Sequence, residues 1–569
     1  MTDIRRTVLW VVFTMSLVLL WDGWQKHNGH SSMFSPSAPK AVATAPNGAA
    51  SGGVPAATVA AGQAPAIAPA AAPSEKVTVR TDVLTVTVDT LGGDIVRAEL
   101  PKYLTSPDPS VTDQLLQMVR LKQPAPFTPE PVVLFNAAQQ YRAQTGLVGA
   151  QGPLPTHNTP MTVLPGEREL QAGQDEVKLR LESAEVGGVK LVKTFTFKRG
   201  AYTVGVTHEV INAGAAPVTP QVYLQLVRDG STVTGGAAFT PSFTGPAVYN
   251  DKAKFKTLKF EDIDKGKVDI EKQADDGWVS MVQHYFASAW LVNEPGNREF
   301  FVRKLPGQAG VRGDTYATGM VFTLPTLAPG ASTTQTALLF AGPQEENKLA
   351  KLAPGLVRVK DYGIFTIIAE PLFWLLDKIH GVIGNWGWTI VALVVLLKAA
   401  LYGLNASAYK SMAKMKALAP RINELKERYK DKPQEMQQQM MKIYREEKVN
   451  PIGGCLPIFA QMPIFMALYW VLLSTVEMRQ APWILWITDL SVRDPYFILP
   501  LLMMLSSLFQ VWLNPPAADP MQQKMMWIMP IAFGIMFFVF PAGLVLYWLT
   551  NNILSIAQQW MINKQLGVN

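Results

Sequence analysis

The sequence predicts a polytopic α-helical membrane protein of six spans with a large all-β domain between its first and second span. Three observations predict it. Charged residues make up only 17% of the 569, against an ordinary 48% hydrophobic, so the apolar residues are gathered into runs. Those runs lie at the N-terminus and beyond residue 365. Between them is a long stretch in which apolar and polar residues alternate with the period of a strand.

Composition also removes classes of function. One cysteine excludes intramolecular disulfides and any multi-cysteine metal site. The six histidines are scattered. The chain has no HExxH, no GxxxxGK(S/T) phosphate loop and no GxSxG elbow. These absences point away from nucleotide hydrolysis and from a metal or cofactor.

The chain begins with Arg5-Arg6 and an apolar run over 8–21, interrupted only by Thr14 and Ser16. Asp22-Gly23-Trp24-Gln25 follows without a small-x-small cleavage site. This predicts an uncleaved signal anchor over 1–25, with the arginines in the cytoplasm. Residues 26–75 are rich in Ala, Pro, Gly and Ser, show no periodicity and read as a tether.

Residues 76–345 are expected to form a β domain. Val77, Val79, Leu84, Val86 and Val88 alternate with polar residues. Lys190–Lys198 reads KLVKTFTFK, and Arg199-Gly200 turns it into Tyr202–Val206, a hairpin signal. Further strands are expected within 277–293, 299–304, 317–323 and 333–341, enough for a large two-sheet sandwich. His157, His208 and His284 have no metal-ligand spacing, and no carboxylate pair stands out.

Residues 346–385 read as a connector containing an amphipathic helix in the membrane interface. Its apolar residues recur at helical spacing, but Glu370, Asp377, Lys378 and His380 interrupt them. Core spans are expected at 386–404, 456–476, 496–513, 525–540 and 542–562, within a core domain of 386–569. Residues 406–450 hold eleven Lys/Arg against six Asp/Glu, a net of +5, whereas 477–495 carry a net of −1. The positive-inside rule puts 406–450 in the cytoplasm and the β domain outside, with both termini cytoplasmic.

Three features point to function. Lys398 falls twelve residues into the second span, where a central lysine costs roughly 2.5–3.5 kcal/mol. No acidic residue in another span offers a partner, so a wet cavity is expected, with Gln461, Asn551 and Asn552 candidates to line it. The 406–450 loop carries a stripe of Met412, Met415, Leu418, Ile422, Leu425 and Tyr429, broken at Asp431-Lys432-Pro433 and resumed by Met436, Met440 and Ile443. That is the pattern of an antiparallel helical hairpin. Its basic face, with Lys410, Lys414, Lys416, Arg421, Lys426 and Arg428, could meet acidic lipid, RNA or a protein, or simply set topology. Sixteen of 23 methionines lie at or beyond residue 412, which suits a surface that accepts varied apolar helices or one that faces lipid.

The residues resemble a family. The stretches GNWGWTI (384–390), YKSMAKM (409–415), EKVNPIGGCLP (447–457), QMPIFMALY (461–469), VEMRQAP (476–482), DPMQQK (519–524) and FPAGLVLYW (540–548) resemble, in order, the YidC-type membrane protein insertases of the Oxa/Alb/YidC family. The layout resembles the Gram-negative form with a large periplasmic domain. The resemblance implies a β-supersandwich and a five-span core bundle around a hydrophilic groove open to the cytoplasm and lipid. It implies residence in the bacterial inner membrane and insertion of nascent membrane proteins, alone or with the Sec translocon and its accessory subunits. It also implies a cytoplasmic hairpin that meets a ribosome or delivery factor, with no specific nucleic acid bound. Lys398 stands where the family usually has arginine, keeping the charge without the bidentate fork. The long basic tail of many members is not seen after Lys564, so the hairpin is expected to carry more of the ribosome contact. Two other classes remain open from the residues alone: a solute transporter with Lys398 in its site, and a membrane-tethered extracytoplasmic enzyme.

Overall fold

Among the described residues, strand-period alternation becomes eighteen strands between Lys76 and Pro343. The computed structural model describes residues 74–107, 111–118, 123, 126–150, 152–231, 243–305, 314–429, 432–447, 456–514 and 520–565. The expected anchor over 1–25 and the tether up to residue 73 lie outside the described residues.

The strands are β1 (Lys76–Arg80), β2 (Thr85–Asp89), β3 (Asp94–Leu104), β4 (Pro131–Val133), β5 (Arg142–Val148), β6 (Met161–Val163), β7 (Glu176–Ser183), β8 (Val189–Lys198) and β9 (Thr203–Asn212). They continue with β10 (Gln221–Asp229), β11 (Gly245–Asn250), β12 (Lys254–Thr257), β13 (Gln273–Ala274), β14 (Trp278–Gln283), β15 (Phe286–Leu291), β16 (Arg298–Leu305), β17 (Thr315–Thr323) and β18 (Ser332–Pro343). They form two nine-stranded sheets. One runs β1-β2-β3-β5-β10-β17-β16-β13, with β4 on β3; the other runs β12-β11-β14-β15-β18-β9-β8-β7-β6. Neighbouring named strands pair antiparallel, as β8 with β9 and β10 with β17.

Alternation in β7 and β9 puts every second residue in the core and the rest towards solvent. The expected turn at Arg199-Gly200 is present, with Gly200 at φ +70°, a conformation glycine adopts without strain. Strands β10, β11, β14 and β15 are buried on both faces. The sheets share one apolar core and are tied across it: the Trp290 indole N–H donates to Gln225 O at 3.1 Å, and Tyr141 and Ser288 hydroxyls meet at 2.5 Å.

Several polar groups in that core have close partners. Lys193 Nζ donates to Gly92 O at 2.5 Å and Thr145 O at 2.7 Å. Gln144 donates to Asp94 Oδ2 at 2.6 Å. His208 Nε2 and Thr145 Oγ1 lie 2.9 Å apart, and His157 Nδ1 lies 2.6 Å from Tyr223 OH. Burial pushes the Asp94 carboxyl up and the Lys193 ammonium down, each opposed by the charge of the other. Burial first, and the Lys193 charge second, hold His208 down to about 3.

Beyond the strands the chain is helical. Three short helices, α1 (Val111–Met118), α2 (Phe260–Asp264) and α3 (Glu346–Leu352), belong to the β part and its exit. The rest are α4 (Thr366–Ile383), α5 (Trp386–Ala400), α6 (Tyr402–Arg428), α7 (Pro433–Glu446), α8 (Leu456–Ser474), α9 (Ile498–Leu513), α10 (Pro520–Phe537) and α11 (Ala542–Gln565). In α4, Leu372, Phe373 and Leu376 are buried while Ile367 and Val382 are almost fully exposed. Gly384, at φ +70°, ends α4 by donating to His380 O at 2.7 Å. Asn385 then caps α5 by accepting from Trp388 N at 3.1 Å. A second apolar core joins α4, α5, α8, α9, α10 and α11.

Among the described residues no single helix is long and apolar enough to cross a membrane, whereas Trp386–Ala400 with Tyr402–Ser411, bent by 66°, has the length and composition. The expected span over 386–404 is therefore not one straight helix. It breaks at Leu401 (φ −92°, ψ 8°), which closes α5 by donating to Leu397 O at 3.0 Å. The expected 496–513 helix starts instead at Ile498. Phe497 lies at φ +54°, and the buried Asp494 carboxylate accepts from Tyr496 N at 3.0 Å and Leu499 N at 2.7 Å.

Candidate functional site

In α11 the residues Asn551, Asn552, Ser555, Gln558 and Gln559 recur at spacings that put them on one stripe of a 3.6-residue helix. Each reaches a different part of the bundle. Lys398 Nζ, from α5, donates to Ser555 Oγ at 2.7 Å, and Ser555 Oγ donates one turn back to Asn551 O at 2.7 Å. Gln461, from α8, donates to Asn551 Oδ1 at 3.1 Å. Asn552 Nδ2 donates to Ser506 Oγ at 2.8 Å and Ser507 Oγ at 3.3 Å on α9. Gln559 donates to Asn514 Oδ1 at 2.9 Å, and Gln558 to Tyr402 O at 3.4 Å.

All four residues singled out from the sequence, Lys398, Gln461, Asn551 and Asn552, therefore meet along one stripe. Lys398 does not sit at mid-helix, as its distance from Trp386 suggested. It occupies the last turn of α5, just before the bend. There the helix dipole presents its negative end, which favours a cation. Lys398 is half-buried and makes no ion pair among the described residues. Its partner is a neutral hydroxyl.

Sequence reading missed Ser555, Gln558 and Gln559 on α11 and Ser506, Ser507 and Asn514 opposite them. The signal was the helical spacing counted onward from Asn551. The second group, on the hairpin, lies on α6 and α7. Leu418, Ile422, Leu425 and Tyr429 are the less exposed positions of their arm, and Met436, Met440 and Ile443 of the other. Arg421 Nη1 meets Glu447 Oε1 at 3.0 Å and ties the arms. Pro433 opens α7 at a first-turn position, where its missing N–H costs nothing. Lys410, Lys414, Arg421 and Arg428 are exposed. The side chains of Lys416 and Lys426 lie outside the described residues. Among the described residues no group of three or more His, Cys, Asp or Glu could hold a metal ion.

Residues 378–568 match the family described as the 60Kd inner membrane protein, and residues 76–375 match the YidC periplasmic domain. The membrane protein insertase YidC of Cupriavidus necator is 51% identical over 576 residues, covering 99% of this chain and 98% of its own. That of Burkholderia cenocepacia is 50% identical over 572 residues and covers 99% of each. A crystal structure titled as an active YidC insertase with its first transmembrane domain resolved aligns over 85% of this chain and 92% of its own, at 18% identity and a TM-score of 0.37. The class is thus an inner membrane protein with an all-β periplasmic domain and a helical C-terminal region. The chain belongs to the YidC family of membrane protein insertases. Membership favours insertion over the transporter and tethered-enzyme readings of the sequence.

Proposed function

We propose that insertion runs through a hydrophilic groove built on α11 and lined by Lys398, Gln461, Asn551 and Asn552. The observation that supports this reading is the pairing of Lys398 with a serine hydroxyl and with no carboxylate. A new membrane protein must take a polar tail or loop through hydrocarbon, and unsatisfied polar groups there cost several kcal/mol each. Amide and hydroxyl side chains on the stripe, with water, lower that barrier for part of the path. The Lys398 charge attracts acidic residues in the passing segment, because Coulomb attraction strengthens as the local dielectric falls. The substrate's apolar helix then leaves for lipid, each Leu, Ile, Phe or Val contributing about −0.3 to −0.6 kcal/mol. No nucleotide and no covalent step is needed.

The same reading gives six spans with a five-span core, both termini cytoplasmic, and the two sheets packed as a β-supersandwich. The bend at Leu401 is then a bend within the second span. The exposed apolar side of α4 lies in the membrane interface against lipid. The hairpin, through Lys410, Lys414, Lys416, Arg421, Lys426 and Arg428, meets a ribosome or delivery factor, and the Sec translocon with its accessory subunits is a partner for some substrates.

The test uses purified protein in liposomes without a translocon and a double-spanning substrate with an acidic exported tail, read by protease protection. Lys398→Arg is expected to insert at the wild-type rate and Lys398→Glu about tenfold more slowly, the effect of roughly 1.4 kcal/mol of lost attraction. Equal, wild-type insertion by both variants overturns the charge role.

A further inference from the structure

The sequence motif VEMRQAP (476–482) lies outside the polar stripe, and the structure gives it a different place. Three consecutive residues point to three destinations. Val476 is buried within the apolar core of the β domain, and Met478 within that of the helical bundle. Between them, Glu477 faces the charge of Lys360, with Oε2 buried and without a hydrogen-bond partner.

Lys360, in the connector, has no exposed side-chain surface; its Nζ lies 3.6 Å from Glu346 Oε2 on α3. That Nζ also sits 3.5 Å from the centre of the Phe373 ring on α4, a desolvated cation–π contact. Glu346 accepts from Tyr362 OH at 2.9 Å, and the neighbouring Glu345 from Tyr103 OH on β3 at 2.8 Å. Burial pushes the Glu346 and Glu477 carboxyls up and the Lys360 ammonium down, and the charge of Lys360 opposes the shift of each carboxyl as theirs opposes its own.

The loop continues this attachment. Arg479 Nη2 donates to Leu104 O at the end of β3 at 2.8 Å, and its guanidinium lies over Tyr285 and Phe286 at 5.3 and 5.7 Å. Its far end grips α5. Asn385 Nδ2, on the residue that caps α5, donates to Pro482 O at 3.1 Å and Trp483 O at 3.3 Å. The Trp483 ring fills the space where Gly387 has no Cβ.

We propose that Lys360 and Glu477 are positioning residues for insertion: they fasten the β domain to the 476–483 loop and, through Trp483 and Asn385, fix the N-terminal end of α5, the helix that carries Lys398. The periplasmic domain is then a brace for the bundle. This role needs the family's activity and the contacts above; it does not depend on the charge role proposed for Lys398.

The experiment reads amide hydrogen exchange of the full chain in nanodiscs together with insertion into liposomes. Lys360→Met is expected to raise exchange at 476–483 and 385–389 about tenfold, since it leaves two buried carboxylates without a cation. Insertion falls in step, while β8 and β9 amides stay protected. The triple variant Lys360→Met/Glu346→Gln/Glu477→Gln removes the uncompensated charge and is expected to recover both readouts. Glu477→Gln alone, a milder change, gives an intermediate result and serves should Lys360→Met fail to fold. Unchanged exchange at 476–483 in both single variants overturns the proposal. So does wild-type insertion from a loosened loop, or a triple variant no better than Lys360→Met.

Discussion

Lys193 in the periplasmic domain and Lys398 in the bundle are both drawn into protein, yet their surroundings differ. Lys193 is fully buried, donates to two backbone carbonyls and feels the Asp94 charge. Lys398 is half-buried and donates to one hydroxyl. The first arrangement engages two of the ammonium's three donors and sets its charge against Asp94, so the group ties the two sheets together. The second leaves donors and charge unspent, the arrangement that the attraction proposed for Lys398 requires. A buried charge thus reads as structural or functional by what is left over after its partners are counted.

Substituting both lysines breaks or sharpens that comparison. Lys193→Met leaves Asp94 buried without its cation and is expected to destabilise the periplasmic domain by about 3–5 kcal/mol, read as a lowered melting transition of the full chain by calorimetry. Lys398→Met is expected to leave stability within about 1 kcal/mol, because an apolar side chain in place of a poorly compensated charge is often neutral or better. Insertion of the acidic substrate drops nonetheless. Equal losses of stability in the two variants would end the comparison.

Next in size is Gly387→Ala. The new methyl would collide with the Trp483 ring, and overpacking of this kind costs roughly 1–3 kcal/mol. Exchange at 385–389 reads it; wild-type protection there would mean that the indole has another seat.

A pH series is subtler. His208 is held neutral down to about 3 from an ordinary 6.5, so the unfolded chain binds more protons than the folded one throughout that window. Its contribution is complete above pH 6.5 and is lost as pH falls towards 3, at up to about 1.4 kcal/mol per pH unit. Asp94 acts in the opposite sense, its raised carboxyl favouring the folded state as pH falls. The difference between wild type and His208→Gln isolates the histidine: the wild-type advantage should shrink on acidification, and a constant gap would show that His208 does not titrate on unfolding. The smallest expected effect is Arg421→Ala on the hairpin. Arg421 and Glu447 are both exposed, and such pairs contribute about 0.2–1 kcal/mol, measurable only as a small gain in exchange along α6 and α7.

Much of the β architecture was legible because half-buried strands alternate. KLVKTFTFK became β8, the turn fell at Gly200, and strands appeared at 298–305, 315–323 and 332–343. Where both faces are buried the period vanishes. The stretch QVYLQLVRD of β10 and the paired β14 and β15, which the sequence offered only as one region over 277–293, show why. Helical spacing similarly exposed the hairpin stripe, whereas Asn551 and Asn552 stood out as amides within an apolar run. The bend at Leu401 carried no proline to announce it, so Lys398 was misplaced along its helix. The Lys360–Glu477 attachment was invisible because it joins residues far apart in sequence, and charge at long separation has no period.

The seat of Val476 has a consequence for synthesis. A ribosome finishes β18 at Pro343 long before it reaches residue 476, so among the described core residues Val476 is the last to be made. Only when the later loop has itself crossed can the valine enter. The brace therefore closes only after the segment that carries Val476 has been made.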